Sequence, residues 1–260
     1  IAQDQLAIRG PGRHALEVHG TRESPYGLLL HLGFGTLIVE DVTLEGGHKY
    51  RSDAPALGAC IQSQGNVIVR RSTISGCIAR SNDAYAALGG GIWSQGSTNL
   101  YDSVVTGNFA HASGWGYASG GGVYALGGLF MQSTWIDRNA AISGTISRSF
   151  GGGVFARGQA GIYTSTVSAN IAGRMGGLAL ADNGSTTAWI QQSTISGNFA
   201  QRIGGIYSRR PLLLYNSTIA ANQSEIASAG PSGAEAAGLH MGPQLLTFHS
   251  TILADNFATD

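Results

Sequence analysis

A unit of 21 to 25 residues recurs along most of the chain, and this self-similarity constrains the fold more than any other feature. Most copies begin with Gly-Gly and an aliphatic residue, continue through a turn into alternating apolar residues, and end with Ser-Thr-Ile or a relative followed by Asn. The seven copies occupy residues 57–79, 90–110, 121–141, 152–172, 176–200, 204–224 and 237–258. Because the internal pattern is constant while the intervals differ, strand lengths are conserved and turn lengths vary.

Within each copy the apolar residues alternate with a period of two, as at Leu212 and Leu214, and no helical period persists. Three short strands per copy, with Gly, Asn and Ser at the bends, predict an all-β right-handed parallel β-helix of about nine coils with variable turns. A TIM barrel or a Rossmann sheet needs a helix between parallel strands, and the connections here are too short and glycine-rich for one.

The whole chain, 1–260, is predicted to form one β-helix domain, with irregular coils in 1–56 and seven regular repeats in 57–260. A solenoid needs capped ends, because an open terminal coil exposes the edges of its strands. We therefore expect this chain to be a fragment or processed region of a longer one. No apolar run reaches the roughly 18 residues of a membrane-spanning helix, so no such span is predicted.

The asparagine that ends each copy is predicted to stack on its equivalents in a hydrogen-bonded ladder, since a buried amide can satisfy turn backbone. The predicted ladder residues are Asn108, Asn139, Asn170, Asn198, Asn222 and Asn256. In the first copy Cys77 takes the place of this asparagine, and Cys60 is predicted in the inward column of Ile92 and Val123. A disulfide between the two cysteines and a pair of reduced core thiols both fit the sequence.

Alternation also predicts two stacked columns of outward-facing residues. The first contains Trp93, Tyr124, Phe155, Ala179, Tyr207 and His240. The second contains Gln95, Leu126, Arg157, Ala181, Arg209 and Gly242. Both columns shrink to alanine in the same coil, which predicts a notch in the surface at Ala179 and Ala181.

Arg174 and Arg202 precede the Gly-Gly of adjacent coils and are predicted to border this notch. Long turns on either side, at 78–89, 109–120, 140–151 and 223–236, would make it a cleft. Aromatic rings cover the faces of sugars and guanidinium groups pair with carboxylates, so this set suits an acidic saccharide. A solvated face whose alanines have no binding role fits the same residues. The predicted ligand-binding residues are Trp93, Tyr124, Phe155, Arg157, Arg174, Arg202, Tyr207 and Arg209.

The net charge is zero, yet residues 137–210 contain seven arginines and only two aspartates. Of the 15 basic residues only Lys49 is a lysine. Arginine suits planar anions, and the excess is local, so the distribution predicts an anion site and no nucleic-acid partner.

The sequence identifies no catalytic residues. Glycoside hydrolysis needs two carboxyl groups, and only Asp182 lies near the notch. Asp41, Arg71 and Asp102 share one column, which favours a salt-bridged ladder over a lyase centre. The histidines are scattered, so neither a metal set nor a cofactor is predicted. A lyase would need Lys49, a histidine, a tyrosine or an arginine as its base.

The segments GGGIWSQGSTNLYDSVVTGNFA and STISGN, with the lead-ins LAIRGPGRHALEVHG and TLIVEDVTLEGG, resemble bacterial secreted right-handed parallel β-helix repeat proteins. Within that group the similarity is to proteins related to polymorphic outer-membrane protein and to autotransporter passengers, and it covers essentially the whole chain. The resemblance implies an extracellular or cell-surface location. The same architecture also occurs in pectate lyases, polygalacturonases and phage tailspikes, so it specifies fold more than activity.

Together these features predict a non-enzymatic extracellular or cell-surface β-helix segment that presents loops and an aromatic and arginine face for adhesion or glycan binding. The expected partner is an acidic polysaccharide or a host or cell-surface glycan. The alternative is a polysaccharide lyase or glycoside hydrolase that acts on an acidic polysaccharide.

Overall fold

A computed structural model describes residues 3–21, 26–82, 84–182, 185–225 and 236–259. Over these residues the chain forms 38 short strands and one 3-10 helix, Ile146–Arg148. Every strand pairing among them is parallel, and the strands stack into five sheets. We number the sheets in the order in which a coil passes through them after its Gly-Gly.

Sheet 1 contains Leu29–His31, Ile61–Ser63, Ile92–Ser94, Val123–Ala125, Val154–Ala156, Leu178–Leu180, Ile206–Ser208 and Leu239–Met241. Sheet 2 contains Gln5–Arg9, Thr36–Glu40, Asn66–Arg70, Thr98–Tyr101, Leu129–Gln132, Ala160–Tyr163, Ala188–Gln191, Leu212–Tyr215 and Leu246–His249. Sheet 3 contains Glu17–His19, Thr43–Glu45, Thr73–Ser75, Val104–Thr106, Trp135–Asp137, Thr166–Ser168, Thr194–Ser196, Thr218–Ala220 and Ile252–Ala254.

Sheet 4 contains His48–Arg51, Ile78–Ser81, Phe109–Ala112, Ala140–Ser143, Ile171–Ala172, Phe199–Ala200, Gln223–Glu225 and Phe257–Thr259. Sheet 5 contains only Ala56–Leu57, Ala87–Leu88, Ala118–Ser119 and Ser149–Phe150. It is short because only the coils with a long turn after sheet 4 have residues to form it.

The predicted fold class is confirmed: the chain is an all-β parallel solenoid of about eight turns, with eight or nine strands in each of the four long sheets. The predicted register holds as well, since Val123, Val154, Leu178 and Ile206 pair in succession along sheet 1. The inward side chains of sheets 1, 2 and 3 form one continuous aliphatic core, with Ile92, Leu100 and Val105 fully buried in a single coil. The predicted right-handedness stays a prediction.

The asparagines form a buried ladder at the turn between sheets 3 and 4. Asn139 Nδ2 donates to Asn170 Oδ1 at 3.0 Å and to Val105 O at 2.9 Å. The same geometry links each asparagine to the next from Asn108 to Asn256. Each amide thus satisfies backbone that would otherwise be buried without a partner.

The Gly-Gly pairs allow the ladder to form. An added Cβ at Gly122 would lie 3.0 Å from the Asn139 side chain, and one at Gly121 would lie 2.3 Å from Gly152 O of the next coil. The second glycine therefore makes room for the amide, and the first makes room for the adjacent backbone. Gly-Gly and Asn recur together because they form one contact.

The Asp41 column lies at the turn between sheets 2 and 3, where each coil has one residue with a positive φ angle. Arg71 donates to both carboxylate oxygens of Asp41, at 2.8 and 2.6 Å. The hydrogen bond with Arg71 lowers the pKa of Asp41. The same contact raises the pKa of Arg71, and the charge of Asp102 adds to that increase. Arg71 and Asp41 thus form a salt bridge between adjacent coils, and Asp102 adds only its nearby charge.

Cys60 and Cys77 are joined by a disulfide, with their Cα atoms 5.7 Å apart. The predicted inward position of Cys60 is wrong by one residue: Ile61 pairs with Ile92, and Cys60 N donates to Gly91 O. Cys60 therefore stands where the later coils have their second glycine, and Cys77 stands where they have the ladder asparagine. The disulfide replaces the glycine and asparagine contact of those coils.

The disulfide is expected to stabilise the fold by about 3 kcal/mol, because it closes a loop between residues 17 apart. The double variant Cys60→Ala/Cys77→Ala should lose that amount in guanidinium chloride unfolding followed by circular dichroism. Cys60→Gly/Cys77→Asn should recover part of the loss, because it installs the contact of the other coils. Equal stability of the two variants would contradict this equivalence.

Candidate functional site

A cleft of about 570 Å³ opens on the outer face of sheet 1, beside sheet 5. Six of the eight predicted ligand-binding residues line it: Tyr124, Phe155, Arg157, Arg174, Tyr207 and Arg209. Sheet 5 and its turns add Ala86, Leu88, Tyr117, Ser119 and Phe150, and the short turns that follow add Met175. We call this site the arginine cleft.

The abrupt end of sheet 5 creates the cleft. Phe150 is its last strand residue, and beyond it only isolated bridges continue, from Phe150 to Met175 and from Met175 to Ile203. The turn that follows the next strand of sheet 4 is short, as its sequence predicts, and adds no strand to sheet 5. Sheet 5 therefore does not extend over the coil that contains Ala181. The long turn predicted at 223–236 lies mostly outside the described residues.

Aromatic rings form one wall of the cleft. Tyr124 and Phe155 stack in adjacent coils with ring centroids 4.9 Å apart and planes 6° from parallel. Phe150 of sheet 5 lies 6.4 Å from Phe155 and stacks with Tyr117 at 6.2 Å. The wall is a run of ring faces and edges, the surface on which the apolar face of a pyranose packs.

The floor of the cleft differs from the sequence-based expectation. Ala179 was expected to leave an open gap in the first column, but it is fully buried and packs with Met175 and Ile203. The apolar side chains of the short turns fold over the alanine and fill its space. The opening therefore lies at Ala181, in the second column.

Arg157, Ala181 and Arg209 occupy equivalent positions in three successive coils, since each donates its backbone N–H to the coil before. Two strand spacings separate the arginines, roughly 10 Å, with the small alanine between them. Arg174 contributes a third guanidinium group, whose Cζ lies 6.0 Å from the ring centroid of Phe150. The lining residues within the described chain include no carboxylate, so the cleft is positively charged.

Sequence reasoning missed Arg210, which fixes the mouth of the cleft. Its side chain is fully buried, and its Nη2 donates to Arg157 O at 2.7 Å and lies 3.3 Å from Asp182 Oδ2. Its Nη1 donates to Thr186 Oγ1 at 3.2 Å. The signal was present in the alternation, which makes position 210 inward and therefore unusual for an arginine.

Trp93 and Arg202 were predicted in the site and do not line the cleft. Trp93 belongs to the expected column but is only 8% exposed. Arg202 lies one coil beyond Arg174, where its carbonyl accepts from Ala236 N at 3.1 Å. The long turns 78–89 and 109–120 contain the aromatic residues Tyr85, Trp115 and Tyr117. Tyr117 lines the cleft, while Trp115 lies outside it with Arg148 against its ring.

Burial raises the pKa of the Tyr124 phenol, and the charge of Arg157 only partly opposes that effect. The phenol therefore stays protonated and can donate a hydrogen bond. Asp182, which follows the lining residue Ala181, is paired with Arg210. The guanidinium and phenol groups of the described lining can donate hydrogen bonds to an anion.

Two further groups of titratable side chains lie outside the arginine cleft. Lys49 is nearly buried in a separate pocket, where burial first and the charge of Arg51 second lower its pKa to about 8. The sequence pointed to no metal set, but the structure brings one possible group together: Glu17, His19 and Glu45 lie within 4.8 Å of one another through their ligand atoms. Neighbouring strands of sheet 3 make that contact, which sequence spacing alone did not reveal.

No helix in the described part of the chain combines the length and the apolar character needed to cross a membrane. Comparison of the chain with protein-family models, with curated proteins and with solved structures found no match.

Proposed function

We propose that this chain is part of an extracellular or cell-surface β-helix protein that binds acidic polysaccharide in the arginine cleft. In this proposal it belongs with the bacterial secreted repeat proteins related to polymorphic outer-membrane protein and autotransporter passengers, and serves in adhesion to glycans. One observation carries the proposal: three arginines and a stacked aromatic wall converge on one cleft whose described lining contains no acid.

Each part of the cleft matches a part of an acidic saccharide. The gap at Ala181 places Arg157 and Arg209 on two sides of one opening, so a carboxylate there can pair with either guanidinium group. Tyr124 is buried under its stack with Phe155, so the partly exposed ring of Phe155 and the exposed ring of Tyr117 offer apolar surface to the sugar. Arg174 beside Phe150 can meet the charge of the next residue of a polymer.

The competing assignment is a polysaccharide lyase or hydrolase. Hydrolysis needs two carboxyl groups roughly 5 to 10 Å apart, and the cleft lining within the described chain offers none. Tyr124 is a poor candidate for a lyase base, because burial disfavours its ionised form. The described lining therefore favours binding over hydrolysis, and the product assay below tests a lyase that uses one of the three arginines as its base.

Isothermal titration calorimetry with oligogalacturonate tests the proposal. Arg157→Ala/Arg209→Ala should weaken binding at least tenfold, because it removes both charge partners of the carboxylate. Arg80→Ala/Arg138→Ala is the matched control: it removes two exposed arginines that do not line the cleft and should leave affinity unchanged.

If both double variants weakened binding equally, the loss would follow from the lower net charge of the protein. That result would contradict a specific site in the arginine cleft. Ultraviolet absorbance and reducing ends should be followed in the same samples. Formation of unsaturated uronates or of new reducing ends would establish the enzyme in place of the binding protein.

A further inference from the structure

A second groove, of about 530 Å³, lies on the outer face of sheet 2. Phe130, Gly161 and Trp189 are paired in three successive coils and form its base. Ser97, Asn99 and Gln159 contribute hydroxyl and amide groups to its lining, and Tyr163 contributes a phenol. None of its lining residues in the described chain carries a formal charge, in contrast to the arginine cleft.

Gly161 is the unusual member of this column. The coils before it have Asn99 and Phe130 at this position, and the coils after it have Trp189 and Leu213. Glycine weakens a strand interior and often marks a place where a ligand approaches the backbone closely. The φ angle of Gly161 is not positive, so the turn-forming property of glycine does not account for it.

The absence of a side chain at Gly161 leaves a space between two aromatic rings, which the ring of Tyr163 enters. Phe130 lies one coil before it and Trp189 one coil after it, roughly 10 Å apart at two strand spacings. Tyr163 leans over the glycine, since a Cβ there would lie 2.9 Å from Tyr163 Cε2. Trp189 is 43% exposed and also lines a smaller groove of about 160 Å³ on its other side.

We propose that this groove is a second saccharide site, specific for uncharged pyranose chains. The exposed ring of Trp189 packs on the apolar face of a sugar, while Asn99 and Gln159 exchange hydrogen bonds with its hydroxyl groups. A charged ligand finds no counter-ion among the described lining residues. The proposal is independent of the arginine cleft, which lies on a different sheet.

The dimensions also favour a small ligand over a second copy of the chain. Ligand pockets measure roughly 300 to 1,000 Å³ and are concave. A stable dimer interface needs roughly 800 Å² of complementary surface from each partner. The groove meets the first description, and its amide and hydroxyl groups suit an oligosaccharide.

Intrinsic tryptophan fluorescence and saturation-transfer NMR with neutral hexasaccharides, namely cellohexaose, maltohexaose and mannohexaose, test the proposal. At least one should bind with a millimolar or lower dissociation constant. Trp189→Ala should weaken that binding at least tenfold by removing the ring. Gly161→Leu should do the same, because its side chain must displace the Tyr163 ring, whose Cε2 would lie 2.9 Å from the new Cβ. Circular dichroism should show that this variant keeps the β-sheet fold.

Trp135→Ala is the matched control, since Trp135 is 62% exposed on sheet 3 and should not affect binding. Arg157→Ala/Arg209→Ala should retain neutral-sugar binding, and Trp189→Ala should retain oligogalacturonate binding, so the two sites succeed or fail separately. Three results would each overturn the proposal: no binding of any hexasaccharide, equal effects of the two tryptophan variants, and a change in molar mass on Trp189→Ala that reveals a dimer contact.

Discussion

Replacing Asn170 by alanine is expected to lower the free energy of unfolding by about 4 kcal/mol. The amide donates to Asn198 Oδ1 and Ile136 O at 3.0 and 2.9 Å, and its oxygen accepts from N and Nδ2 of Asn139, both at 3.0 Å. Alanine leaves these partners short of a hydrogen bond in a buried turn, and each such group costs roughly 1 to 3 kcal/mol. Chemical denaturation followed by far-ultraviolet circular dichroism measures the loss.

Asn99→Ala provides the comparison, since Asn99 is a half-buried asparagine on the outer face of the same β-helix. Its replacement should change stability by less than about 0.5 kcal/mol. A loss below about 1 kcal/mol for Asn170→Ala would mean that the ladder does not hold the coils together.

The second large effect is expected from Gly121→Ala, at about 3 kcal/mol of destabilisation. The added Cβ would lie 2.3 Å from Gly152 O, in the backbone of the next coil, and 2.4 Å from Ala140 O, in the backbone at the end of its own coil. Backbone held in a parallel ladder cannot move aside as a flexible side chain can. The coils must therefore separate locally and strain the hydrogen bonds beside the contact, which denaturant unfolding would detect.

Gly242→Ala is the appropriate control, because the atom nearest to its added Cβ is 3.6 Å away, which is an ordinary van der Waals distance. It should leave stability within about 0.5 kcal/mol of the parent. If Gly121→Ala were equally tolerated, the glycine pair would be a turn preference only, and the close packing of coils would not explain the repeat.

The sequence predicted the features that follow from the two-residue alternation of strands and from the repeat of the coils. Alternation correctly placed Phe155 and Tyr207 on the outer face, and the repeat correctly aligned Asn139 with Asn170. Both follow because strand geometry fixes the direction of each side chain and stacking fixes the neighbour. The same logic found one side of the cleft, where the lining residues are successive members of the two outward columns.

Features that depend on the variable turns could not be predicted in this way. Met175 covers Ala179 from a turn that lies between two repeat units, and sheet 5 forms from turns that differ in length. Arg210 could have been found from its inward position. The disulfide also had a signal: Cys60 and Cys77 have the same 17-residue separation as Gly122 and Asn139, which are in contact.

A crystal structure of the chain with a bound oligogalacturonate tests most directly whether stacked coils build an acidic-saccharide site. We expect a uronate carboxylate between the guanidinium groups of Arg157 and Arg209, above Ala181, with a sugar ring against the exposed part of the aromatic wall at Phe155 and Tyr117. An ordered uronate bound elsewhere, with the arginine cleft occupied only by solvent, would contradict the account.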